Sequence, residues 1–67
     1  MVWILTDYSD NNKFIACSFN REIIDKCINR LLELDKLCDV HYEYRLQRVE
    51  NGDNGYPNYC EEEFFKS

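Results

Sequence analysis

Cys38-Asp39-Val40-His41 is the one place in this chain where two soft metal ligands stand three positions apart. A structural zinc site needs two such close pairs, because four donors must converge on one tetrahedral ion. The other cysteines, Cys17, Cys27 and Cys60, are isolated from one another by nine residues or more. Cys17 falls in a strand pattern and Cys27 on an apolar helix face, where cysteine usually serves as a small hydrophobe. The spacing therefore names no metal ligands and implies no cofactor. A zinc-stapled interaction module stays open as one alternative, resting on Cys38 and His41.

Nucleophilic chemistry fares no better. A catalytic cysteine needs a base that makes thiolate and a third group that orients the base. His41 is the only histidine, and nothing beside it is placed to orient the ring. Glu61-Glu62-Glu63 supplies carboxylates, but as a run it reads as a solvated face or an interaction segment rather than an acid–base pair. The two glycines, Gly52 and Gly55, sit in turn sequences and make no phosphate-cradling loop. Sixty-seven residues are also too few to enclose an ordinary ligand pocket alone. Enzymatic activity is not expected.

What the chain does carry is charge asymmetry. Residues 1–49 hold eight acids and seven bases, whereas residues 50–67 hold five acids and one base. That acidic stretch is interleaved with Tyr56, Tyr59, Phe64 and Phe65, side chains that are costly to leave in water and typical as interface anchors. The partner-binding residues expected from sequence are Tyr56, Tyr59, Glu61, Glu62, Glu63, Phe64 and Phe65, with Trp3 and Tyr42 as lesser contributors. A net charge of −5 disfavours direct binding to nucleic acid or to an anionic membrane. It suits a partner protein with a basic groove, including one that itself binds nucleic acid.

The elements that must position these residues follow from pattern. Val2 to Tyr8 and Lys13 to Phe19 read as strands, and Asp10-Asn11-Asn12 between them is turn chemistry. Ser18 or Asn20 caps a helix over about Arg21 to Leu37. Its apolar residues Ile24, Cys27, Ile28, Leu31, Leu34 and Cys38 fall within about 60° either side of Leu31 at helical pitch. Asp35 stands on the edge of that stripe as a misfit. From Val40 to Val49 the chain alternates, with Val40, Tyr42, Tyr44 and Leu46 on one side, which predicts a third strand. Residues 1–49 thus form a β-β-α-β domain, and residues 50–67 an acidic aromatic tail.

The expected fold class is α+β: a three-stranded antiparallel sheet in order 2-1-3 with one helix packed on one face. Both sides of the first hairpin carry apolar residues, and one helix covers one side. The other side must meet the tail, a second copy of the chain or a partner. Hydrophobic content of 45% in so short a chain favours a folded state, and marginal stability makes such cover more valuable. The leading residues Met-Val-Trp-Ile-Leu-Thr-Asp form no signal sequence, so a cytoplasmic location with reduced cysteines is expected.

The string Val2-Trp3-Ile4-Leu5, the polar turn, Phe14-Ile15-Ala16-Cys17-Ser18-Phe19, the helix opening at Asn20-Arg21-Glu22 and the strand from His41 to Val49 resemble small β-β-α-β domains of unknown function found in bacteria and their phages. The resemblance covers residues 2–49 and implies the fold; the tail departs from it. No activity comes with that family. Short acidic chains of this kind are similar in style to phage accessory proteins that block host defences. Together these readings predict a small non-enzymatic protein-binding module, such as a phage or mobile-element inhibitor of a host defence or nucleic-acid enzyme, acting in the host cytoplasm through an acidic surface. The alternative from another class is a homodimer or larger homo-oligomer that sequesters a small ligand, such as a signalling nucleotide, between subunits.

Overall fold

Asn11 and Asn12 reverse the chain with left-handed backbones, φ 51° and 57°, which their short polar side chains tolerate better than most residues. A single 3-10 turn over Tyr8–Asp10 leads into them. On either side lie strands β1 (Val2–Asp7) and β2 (Lys13–Ser18), paired antiparallel. This computed structural model describes all 67 residues.

Helix α1 spans Arg21–Leu37. Asn20 opens it: its Oδ1 accepts the Glu22 amide at 2.9 Å, while Ser18 Oγ accepts the Asn20 amide at 3.0 Å. Both capping residues named from the sequence are thus used in series. At the other end the Val40 amide donates to the Asp35 carbonyl and the Asp39 amide to the Lys36 carbonyl. That is a Schellman closure, with Asp39 in the left-handed region at φ 53°.

Strand β3 (Glu43–Asn51) returns antiparallel to β1. It begins after Tyr42, which the alternation had placed inside it. The chain then turns through Gly52–Tyr56, closed by the Gly52 amide on the Tyr56 carbonyl at 2.7 Å. A Cβ on Gly52 would stand 2.6 Å from that oxygen, so only glycine fits. Gly55, at φ 80°, supplies the other conformation the loop needs.

Residues 57–66 do not form a tail but a fourth strand, β4 (Pro57–Lys66), paired antiparallel along the whole of β3. The sheet is four-stranded and fully antiparallel, in order β2-β1-β3-β4. The expected 2-1-3 arrangement makes up three of its strands, and β4 extends it beyond β3. Arginines on β3 explain why an acidic segment adds here: the register sets Arg48 opposite Glu61, and Arg45 reaches Glu62 at 3.6 Å, and opposite charges on facing strands stabilise the pairing.

The core is a single layer between α1 and the sheet, made of Trp3, Leu5, Ile24, Ile28, Tyr44 and Leu46. Leu5 and Leu46 are direct cross-strand partners and almost wholly buried. The helix sits rotated from the expected centre at Leu31. Ile24, Ile28 and Asp35 are its buried residues, whereas Leu34 and Cys38 are exposed. Two bulges also shift side chains between faces. One extra residue on β2, Ile15, lets both Ile15 and Ala16 pack on the core and moves Cys17 beside Ile4 on the opposite face. The other falls at Cys60 on β4. No helix is long and apolar enough to cross a membrane.

Candidate partner-binding face

Alternation along the strands divides the expected patch in two. Residues directly opposite in an antiparallel pair share a face. Phe65 pairs with Tyr44, Glu63 with Leu46 and Glu61 with Arg48, so these three belong to the helix side. Phe64 pairs with Arg45, Glu62 with Gln47 and Tyr59 with Val49, so these belong to the open side. Phe65 packs on the core as a structural residue. Tyr56 stands in the β3–β4 loop, exposed and apart from both sides. Trp3 is buried beneath the Arg21 guanidinium, 4.7 Å from the ring centroid, and presents no surface to a partner.

The three glutamates are not free charges. Glu61 meets Arg48 at 3.2 Å, Glu62 meets Arg45 at 3.6 Å and Glu63 meets Arg21 at 2.8 Å. Arg21 also holds Asp25 at 2.8 Å, a bond that raises its already high pKa. Arg48 further contacts Glu50 at 3.4 Å. The acid surplus of residues 50–67 is therefore set against arginines from α1 and β3. Pairs this exposed contribute about 0.2–1 kcal/mol each. Their clearer effect is to fix β4 in register.

What remains uncovered is the open side of the sheet. β1 contributes Val2 and Ile4, β2 contributes Phe14 and Cys17, and β4 contributes Tyr59 and Phe64, with Tyr8 at the end of β1. Phe14 is 60% exposed, Tyr59 59%, Phe64 48% and Tyr8 45%. Tyr8 and Phe64 meet edge to face at 5.2 Å, and Arg45 lies 5.7 Å over the Tyr8 ring. This prearranged cluster has flat apolar area with one cation at its centre, which is how interface anchors are built. The sequence pointed to the exposed hairpin side but not to Tyr8 or Phe14 as its large groups. Their signal was the period-2 alternation across the Asn turn.

Other candidate chemistry does not assemble. A shallow depression of about 270 Å³ is lined by Ser9, His41, Tyr42, Glu43, Lys66 and Ser67. Its members are already engaged: His41 Nδ1 lies 3.1 Å from the Ser67 carbonyl within the depression, and Ser9 Oγ donates to Asp7 at 2.6 Å. No nucleophile–base pair forms. No three His, Cys, Asp or Glu side chains gather as metal ligands. Cys60 donates to Glu50 at 3.3 Å, and that bond first, with desolvation second, pushes its thiol pKa up.

No protein-family model, curated protein or solved structure matches the chain.

Proposed function

We propose that this chain is a small non-enzymatic binding protein that holds another protein against the open side of its sheet. The observation that supports this most is the uncovered Tyr8–Phe64 pair, with exposed Phe14 and Tyr59 on the same side of a sheet whose opposite side is packed by α1. Nothing else in the chain shields that side, because the last residues widen the sheet as β4 instead of folding across it. Apolar area held on a rigid sheet costs little ordering on binding, which favours affinity.

The narrower reading is a phage or mobile-element inhibitor of a host defence or nucleic-acid enzyme. It draws on the net charge of −5, which attracts a basic groove over distance and speeds encounter. With Glu61, Glu62 and Glu63 each beside an arginine, the attraction comes from the whole surface and not from one acidic patch. The anchoring comes from the aromatics. Reversing the three glutamates to lysine tests the electrostatic part. The reading expects slower association with a weaker salt dependence; unchanged kinetics with a captured partner would remove it.

A further inference from the structure

An asparagine followed by glycine brings a carboxamide and a main-chain nitrogen together with no side chain to keep them apart. The chain has two such pairs, Asn51-Gly52 and Asn54-Gly55, both at the β3–β4 turn. Its other asparagines precede Asn12, Lys13, Arg21, Arg30 and Tyr59, whose side chains crowd the nitrogen. The chemistry open to an Asn-Gly pair is intramolecular: the glycine nitrogen attacks the asparagine Cγ. Such a reaction depends on whether the fold lets the two atoms approach.

The turn treats its two pairs differently. Asn51 is the last residue of β3 and stands opposite Pro57 on β4. The Gly52 amide donates to the Tyr56 carbonyl at 2.7 Å, and that oxygen lies so close that a Cβ on Gly52 would stand 2.6 Å from it. The Gly52 nitrogen is therefore pinned, and attack on Asn51 has to wait for the bond that closes the turn to open. Asn54 lies beyond the ladder, and both it and Gly55 are exposed. The Gly55 amide holds the Gly52 carbonyl by a longer bond, 3.1 Å, and a Cβ on Gly55 would meet nothing within 4 Å. The Tyr56 amide donates to Asn54 Oδ1 at 3.4 Å. That is an Asx turn, which folds the carboxamide back along the Asn54–Gly55 peptide. A donor on Oδ1 also draws electrons from Cγ, the atom under attack.

We propose that Asn54 is a self-modification site, deamidating in the folded chain while the turn protects Asn51. The Gly55 nitrogen gives its proton to hydroxide and bonds to Asn54 Cγ. The Cγ–Nδ2 bond breaks, and the nitrogen takes up protons from water and leaves as ammonia. Water then opens the cyclic imide at one carbonyl or the other, giving aspartate or isoaspartate at position 54. No oxidant or reductant takes part. Either product carries the net charge one unit beyond −5. The isoaspartate also adds one main-chain carbon to the loop that delivers β4. The site is separate from the open side of the sheet, and its test needs no binding partner.

The full chain is incubated in mildly alkaline buffer, folded and in guanidinium, and peptide mapping by mass spectrometry follows the amide-to-acid change at each asparagine. Enzymatic methylation of isoaspartate reports the second product. In guanidinium the two Asn-Gly pairs convert at similar rates. In the folded chain Asn54 is expected to convert about tenfold faster than Asn51, with ammonia released in step. Asn54→Gln removes that conversion and leaves Asn51 slow. A folded-state ratio no higher than the unfolded one overturns the proposal. So does a folded chain that stays unmodified at Asn54 over the time in which the unfolded chain reacts.

Discussion

Tyr44 donates its phenolic hydrogen to Asp35 at 2.5 Å, inside the layer between strand β3 and helix α1. Asp35 is 7% exposed and Tyr44 3%, and no other side-chain bond joins the helix to β3. A carboxylate buried this far is costly unless it is hydrogen-bonded. The pair therefore ties the last turns of α1 to the start of β3, and the chain enters β3 through the Asp39 turn between them.

Tyr44→Phe removes the donor and leaves the Asp35 carboxylate without its partner. The expected loss is about 1–3 kcal/mol. Asp35→Leu alone removes the buried charge but strands the phenol. In urea unfolding the two changes together should cost less than the sum of each alone, because they share one contact.

The same contact sets an alkaline limit. Burial first, and then the bond to Asp35, push the Tyr44 phenol well above the usual tyrosine range. An unfolded tyrosine ionises near pH 10 (about that value in model peptides). A folded-state pKa raised above it gives stability that is full below about pH 10 and lost as pH climbs toward the folded value. Unfolding free energy should therefore fall above about pH 10 in the wild type. Tyr44→Phe, less stable at neutral pH, should show a flatter decline over that window.

β4 belongs to the folding unit. Ending the chain at Asn51 would strip the β3 edge of its partner and uncover Tyr44 and Leu46, which face Phe65 and Glu63. The shortened chain is expected to lose its cooperative thermal transition in near-ultraviolet circular dichroism. A sharp melt retained by residues 1–51 would show that the β-β-α-β part stands alone.

Asp39 closes α1 in a left-handed conformation, φ 53°, where glycine is the favoured residue. Asp39→Gly should raise stability by up to about 1 kcal/mol, or several degrees in Tm for a domain of this size. The Val40 amide bond to the Asp35 carbonyl remains available to the glycine variant.

The sequence was legible where one signal dominated. The Asn turn, the Asn20 cap and the β1 and β3 patterns gave the hairpin, the helix and the inner strand order. β4 was hidden because glutamates have low strand propensity and the Cys60 bulge breaks the alternation. Its recoverable signal was Arg45 and Arg48 on one side of an Asn-Gly turn and a glutamate run within salt-bridge reach on the other. Asp35 looked misplaced because its partner is contributed by another element, and helical periodicity alone carries no information about that. The expected aromatic and acidic patch was read along the chain, whereas strand geometry sends neighbours to opposite sides. That is why Phe64 faces the open side while Phe65 fills the core.

The most direct measurement compares what the full chain captures from its native source with what Phe14→Lys combined with Phe64→Lys captures, both changes lying at exposed positions on the open side. The account predicts a protein partner retained by the wild type and lost by the double variant, whose thermal transition stays cooperative. The same partner retained at equal affinity by the folded double variant would contradict it.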